Sequence, residues 1–250
     1  MKRTLVLVAV MASAATAAEP VVYDSLLSSS EGWTLGTIRD GRQKFTIDTT
    51  AQSLTLTNSN WGQAYANYSL PTTLTATESL GIGFSFDVKI NDTDSSLTFS
   101  LVGTTQAITL GTSYNANAGN ILLGTSTAIG STVFSFNSDW GTGTGVVTSS
   151  SSIAGVATAG STITISGSTK YNAETGHHVL TLMCGDKSTT LDLGESVDVT
   201  RISFGGDGGN SRTNFVVSNL SLYTVPEPAT ATLSLLALAG LATRRRRKQA

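Results

Sequence analysis

Apolar residues recur at every second position over short stretches of this chain, with polar residues between them. Phe84, Phe86, Val88 and Ile90 alternate with Ser85, Asp87 and Lys89, the period of a strand with one buried and one wet face. Leu97, Phe99 and Leu101 repeat the alternation after Asn91-Asp92-Thr93-Asp94. Those four residues supply turn chemistry, so the two runs are expected to form an antiparallel hairpin. The same rhythm returns at Leu54 and Leu56, Ile163 and Ile165, Leu180 and Leu182, Ile202 and Phe204, and Leu220 and Leu222. It predicts strands over 33–38, 43–48, 53–57, 64–70, 81–90, 96–102, 106–110, 120–123, 132–136, 162–166, 178–184, 189–193, 199–204 and 214–223. Away from the two ends, no window of helical length places apolar residues at i, i+3, i+4 and i+7. The pattern therefore predicts a nearly all-β domain over 19–224, built as two stacked antiparallel sheets with Thr and Ser on the solvent faces. Residues 141–160, rich in Gly, Ser, Thr, Ala and Val and without charge, read as a long loop with at most one poor edge strand.

The two ends follow other patterns. Lys2 and Arg3 precede an apolar run, Leu5 to Met11, which passes into small residues ending Ala15-Thr16-Ala17-Ala18. These are the charged, apolar and small-residue parts of a secretory signal peptide, expected over 1–18. At the other end, Pro226 and Pro228 break any continuing helix. An uncharged run over 229–243 follows, and its Leu and Ala residues favour a short hydrophobic helix. At ~1.5 Å per residue it spans roughly 22 Å, short of a ~30 Å hydrocarbon core but a feasible span with arginines reaching the headgroups. Arg244, Arg245, Arg246, Arg247 and Lys248 resist translocation and keep that end in the cytoplasm. Both ends thus place the middle of the chain outside the inner membrane.

Charge and cysteine narrow the field. Between the terminal segments 8 basic residues remain against 17 acidic ones, counting Glu227, a formal charge near −9. That excludes nucleic acid and anionic lipid as partners of the domain. Cys184 is the single cysteine, so no intramolecular disulfide forms, and Val179-Leu-Thr-Leu-Met-Cys184 makes it a buried strand thiol.

Val225-Pro226-Glu227-Pro228, the apolar helix and the terminal arginine cluster together resemble the PEP-CTERM protein-sorting signal of Gram-negative bacteria, over residues 225–250. The resemblance implies recognition of Pro226, Glu227 and Pro228 by an exosortase, a membrane enzyme of cysteine-transpeptidase type. It also implies cutting near that motif before export to the cell surface or matrix. A plain single-span anchor after a Pro-rich turn is the alternative. The size and strand rhythm of the domain resemble a concanavalin A-like or laminin G-like jelly roll, which implies that the first and last strands pair. A pair of smaller sandwiches or a solenoid would share the rhythm, although no fixed-period repeat favours the latter.

Catalytic chemistry is sparse. Glycoside hydrolysis requires two carboxyl groups facing one cleft, and the six Glu residues include no pair at strand spacing. Glu195 and Asp198 come nearest, and an i, i+3 pair on a strand points to opposite faces. His177 and His178 are adjacent and would face opposite sides, with no third histidine to complete a zinc site. No Gly-x-Ser-x-Gly elbow opens a helix. No catalytic residue and no metal site are therefore assigned. Gly205-Gly-Asp207-Gly-Gly-Asn210 reads either as a plain glycine-rich connection or as a loop offering oxygens to calcium or a sugar hydroxyl. Asn91 to Asp94 invites the same two readings. Trp33, Trp61, Trp140, Tyr65, Tyr68, Tyr114 and Tyr171 are candidate sugar-stacking rings. Trp61 and Trp140 share an Asn-Ser-polar-Trp-Gly context and, with Asp207 and Asn210, form the candidate ligand set. The chain reads as an exported surface or matrix protein without catalysis, whose domain contributes structure or binds an extracellular polysaccharide. A secreted carbohydrate-active enzyme is the alternative.

Overall fold

A computed structural model describes residues 21–39, 43–58, 63–91, 95–112, 119–136, 143–208 and 212–227. Among them no helix forms, and the elements in chain order are β1 (Val22–Tyr23), β2 (Trp33–Arg39), β3 (Gln43–Asp48), β4 (Ser53–Asn58), β5 (Gln63–Thr75), β6 (Leu80–Ile90), β7 (Ser95–Val102), β8 (Ala107–Thr112), β9 (Ile121–Ser126), β10 (Val133–Ser135), β11 (Thr144–Val146), β12 (Thr148–Ile153), β13 (Thr162–Asn172), β14 (His177–Cys184), β15 (Lys187–Asp192), β16 (Asp198–Gly208) and β17 (Arg212–Pro226). The expected leader and the apolar run over 229–243 lie outside the described residues.

Two antiparallel sheets stack as the alternation predicts. One runs β15-β14-β13-β6-β17-β4-β3, with β1 paired to β17, and the other runs β12-β9-β8-β7-β16-β5-β2. The pairing of the first and last described strands, Val22 with Tyr223 and Tyr23 with Leu222, is the one a jelly roll implies. The core lies between the sheets. Phe84 and Phe86 from β6 meet Phe99 and Phe204 from the facing sheet, with ring centroids 5.0 Å apart for Phe84 and Phe99 and 4.8 Å for Phe86 and Phe99. All four are almost fully buried, and burying a Phe is worth about 1.5–3 kcal/mol.

The expected hairpin over 84–101 does not form. β6 pairs with β13 and β17, whereas β7 pairs with β16 and β8 in the other sheet. Alternation states which face of a strand is buried and is silent on its neighbour. The connection after Ile90 crosses between layers, so Phe86 and Phe99 meet across the core instead of side by side. The stretch 141–160 holds the one edge strand that its reading allowed, β12 beside β9, and also β11, which was not expected. Hydroxyl residues run unbroken from Thr148 to Ser152, and an exposed edge needs no apolar period.

β17 changes phase along its length. Phe215 and Val217 point into the core from odd positions, Leu220 and Leu222 from even ones. A bulge between Ser218 and Ser221 absorbs the change, with Asn219 in the left-handed region at φ 54°. One extra residue therefore keeps both halves of the strand facing inward.

Candidate functional site

The outer face of the seven-stranded sheet carries a roof. Ser96, Thr98 and Ser100 on β7, Thr109 on β8, Arg201 and Ser203 on β16, and Gln63 and Asn67 on β5 alternate with core residues and so point away from the core. Over them lies the segment of β10 and β11, a parallel pair. Side chains of the face hold its backbone carbonyls. Thr98 Oγ1 donates to Phe134 O at 2.9 Å, Ser203 Oγ to Thr132 O at 3.1 Å, Asn67 Nδ2 to Thr132 O at 3.3 Å, and Arg201 to Ser131 O at 2.7 Å. Phe134 and Val147 pack with Val102 and Ala107 as a second small core. Burial lowers the pKa of the Arg201 guanidinium. Among the described residues, Gln63 Nε2, Asn67 Oδ1 and Arg201 Nε are buried without a hydrogen-bond partner.

The glycine-rich stretch from Gly205 has a packing role that the loop reading missed. Gly205 and Gly206 belong to β16, and a Cβ at Gly205 would stand 2.6 Å from Thr98 Oγ1 and 3.1 Å from Val133 Cγ1. Without a side chain there, the roof seats on the sheet. Asp207 continues β16 opposite Gln63 and Ser96. Trp61, Trp140 and Asn210 lie outside the described residues, as do Tyr114 and Asp92 to Asp94. The strands that flank two of these positions meet, because Gln63 pairs with Asp207 and Asn58 with Arg212. No group of three His, Cys, Asp or Glu that could hold a metal occurs among the described residues.

The other aromatic candidates have structural work. Trp33 donates its indole N–H to Leu26 O at 2.9 Å and packs on Tyr68 and Phe204, closing one side of the sandwich. Tyr65 lies across Gly36. Tyr171 packs on His178, with ring centroids 5.3 Å apart. The two histidines separate as the strand period requires. His177 Nδ1 lies 2.9 Å from Asp192 Oδ2 on the surface, and that hydrogen bond is the main cause holding the Asp192 carboxyl below its usual range. His178 is 2% exposed, and burial lowers its pKa while the charge of Glu227 opposes the shift. Cys184 is buried and free, its thiol pushed up to about 11 by desolvation. That is an inert core thiol, as expected.

A polar cavity of ≈ 270 Å³ was not foreseen. Asp24, Ser25, Gln52, Asn219 and Ser221 line it over Leu27 and Leu220. Ser25, Gln52 and Asn219 are also the non-glycine residues with positive φ among the described residues. Its members come from the connection after β1, the β3–β4 turn and the β17 bulge, so no local pattern announces it.

At the end of β17, Pro226 pairs with Leu80 of β6. The next residue, Glu227, donates its N–H to Ser79 O at 2.9 Å, and its carboxylate accepts the Tyr171 N–H at 2.6 Å. Residues 224–248 match the PEP-CTERM protein-sorting motif. The PEP-CTERM motif thus starts inside the last strand, and it marks an exported, surface-sorted protein. Its Pro228 and Arg244 to Lys248 lie outside the described residues.

The sequence matches no curated protein. Among solved structures, the fold is similar to an endo-1,3-beta-glucanase from Streptomyces sioyaensis, with 9% identity and a TM-score of 0.52 over 80% of this chain and 91% of that one. Arcelin-5, a lectin-like defense protein from Phaseolus vulgaris, is 12% identical with a TM-score of 0.49 over 83% and 99% of the two chains. Lectin I-B4 from Griffonia simplicifolia is 15% identical with a TM-score of 0.44 over 82% and 99%. At these identities the likeness is one of fold, a two-sheet jelly roll.

Proposed function

We propose that this chain is a bacterial cell-surface or extracellular-matrix protein whose tail is its address and whose jelly roll is a non-catalytic, carbohydrate-binding ectodomain. The observation that carries the reading is the PEP-CTERM match, contiguous with the last strand of the folded domain. In this reading the leader over 1–18 opens export, and the run over 229–243 with Arg244 to Lys248 holds an inner-membrane intermediate. An exosortase-type enzyme then reads Pro226, Glu227 and Pro228. Replacing those three by alanine leaves the domain folded and retains the chain in the inner membrane. Cell fractionation checks this, and normal release of the variant refutes it.

The jelly-roll likeness to a glucanase supports a saccharide as the ligand class. The outer face of β7, β8 and β16 argues against hydrolysis on that face. Its described side chains at the centre, Thr98, Ser100, Thr109, Arg201 and Ser203, offer no pair of carboxyl groups and sit under the roof. We assign sugar contact to the candidate set Trp61, Trp140, Asp207 and Asn210. Glycan-array binding lost on Trp61→Ala or Trp140→Ala supports that assignment, whereas loss on Gln52→Ala moves the contact to the cavity at Asn219. Robust polysaccharide hydrolysis abolished by a single Asp substitution overturns the non-catalytic reading in favour of a carbohydrate-active enzyme.

A further inference from the structure

We propose that the folded ectodomain conceals part of its own sorting signal, so that the exosortase-type enzyme processes the tail only as fast as the end of β17 opens from the sheet. The proposal rests on the sorting reading above and adds a control to it.

The signal and the fold share residues. The matched motif begins at Thr224, whereas β17 runs to Pro226. Thr224 donates its N–H to Val21 O at 2.9 Å, and its Oγ1 accepts the Val21 N–H at 2.9 Å, which ties the strand to the residue before β1. Val225 then pairs with Gly81 and Pro226 with Leu80. A Cβ at Gly81 would stand 2.2 Å from Thr169 O, so β6 lies tight against β13 where Val225 docks. Glu227 extends the attachment by donating its N–H to Ser79 O at 2.9 Å. Its carboxylate accepts the N–H of Tyr171 on β13, which lies on the far side of β6 from β17. One side chain therefore reaches past the start of β6 and fastens the strand end to a third strand. The Tyr171 ring in turn packs on the buried His178.

An enzyme that reads a short linear signal takes it as an extended segment and must bind its backbone groups and side chains itself. In the folded domain the Glu227 N–H and carboxylate are already engaged, and of residues 225–227 the Pro226 ring alone is exposed. The same groups cannot serve the sheet and the enzyme together, so occupation by one excludes the other. The enzyme then acts on the fraction of molecules whose strand end has opened. A hydrogen bond to a charged acceptor lowers that fraction about tenfold or more. A chain that has not yet closed β17 offers the signal freely, and one that has completed its fold offers it only in brief openings. The argument holds wherever the bond that is cut lies, because recognition precedes the cut.

Two measurements test the proposal. The first is pulse–chase of the full-length chain in a bacterium that processes PEP-CTERM tails, with loss of the arginine-bearing end read by mass spectrometry. A variant with a short Gly-Ser linker inserted between Thr224 and Val225 keeps 225–250 intact and frees them from β6. Its processing is expected to run about tenfold or more faster than that of the natural chain. Equal or slower processing overturns the concealment and leaves the sorting reading standing. Absence of processing in both chains overturns the sorting reading and the control with it. The second is amide hydrogen exchange in the purified full-length chains in micelles. The Glu227 and Tyr171 amides are expected to exchange about tenfold or more slowly in the natural chain than in the linker variant, while the β6 amides from Phe84 to Val88 stay protected in both. Exchange of the natural chain's Glu227 and Tyr171 amides at the rate of an unstructured peptide overturns the proposal by itself, whatever the variant does.

Discussion

Asn219 gives the sharpest energetic test of how β17 is built. It holds φ 54° at the bulge, and its Nδ2 donates to Asp87 Oδ2 at 2.7 Å. Asp87 also accepts from Thr164 Oγ1 at 2.6 Å, so the carboxylate links β17, β6 and β13. Alanine at 219 must adopt the left-handed region at a cost of about 1–2 kcal/mol. It also loses the hydrogen bond to a charged partner, worth roughly 1 kcal/mol at this exposed site. The Asn219→Ala variant should therefore lose about 2–3 kcal/mol, which lowers Tm by roughly 4–12 °C for a domain of this size. Glycine loses the same bond but enters the left-handed region without a Cβ penalty, so Asn219→Gly should lose only about 1 kcal/mol. Urea denaturation of the ectodomain with matched m-values measures both. Equal losses in the two variants would refute the claim that backbone handedness at the bulge matters. A neutral glycine variant would refute the contribution of the Asp87 contact.

Three further outcomes follow from buried groups. His178 stays neutral in the fold because burial lowers its pKa from 6.5, so the unfolded chain takes up the proton first as pH falls. Its contribution is present above about pH 6.5 and is lost below that value, and Tm should drop from pH 7.5 to pH 5 with a shallower slope in His178→Phe. With its pKa raised to about 11, Cys184 holds only about one part in a thousand of thiolate at pH 8. Iodoacetamide should leave the native domain unmodified and label it in urea, and rapid native labelling would show that the thiol is not in the core. Gly205→Ala drives a methyl to 2.6 Å from Thr98 Oγ1, an overpacking cost of about 1–3 kcal/mol. Limited proteolysis should then cut first within the roof, and an unchanged cleavage pattern would count against the seating of β10 on Gly205.

Most strands were legible because each alternation is local. Phe84 to Ile90 needs no partner to declare its buried face, and the small-residue leader and arginine-capped tail are likewise contiguous signals. Sheet neighbours were not legible, since Phe99 shows the same pattern whether it lies beside Phe86 or across the core from it. The bulge was present in the letters, as Phe215 and Val217 keep one parity and Leu220 and Leu222 the other. Its partner Asp87, 132 residues away, was not. The cavity at Asn219 joins the connection after β1, the β3–β4 turn and the last strand, and the carbonyl-capturing role of Thr98, Asn67 and Ser203 depends on a roof contributed by residues 30 or more positions distant. Short-range patterns report burial and turns, whereas these arrangements arise only once both sheets are stacked.

The interior position of β17 bears on how the protein withstands being tugged. A pull transmitted through the tail acts along the strand, so the ladders to β6 and β4 share the load in shear and do not open one rung at a time. With β1 seated on the same strand, the N-terminal end of the domain emerges beside the C-terminal one. A cell-anchored molecule would hang from a single point, its remaining strands outside the line of tension.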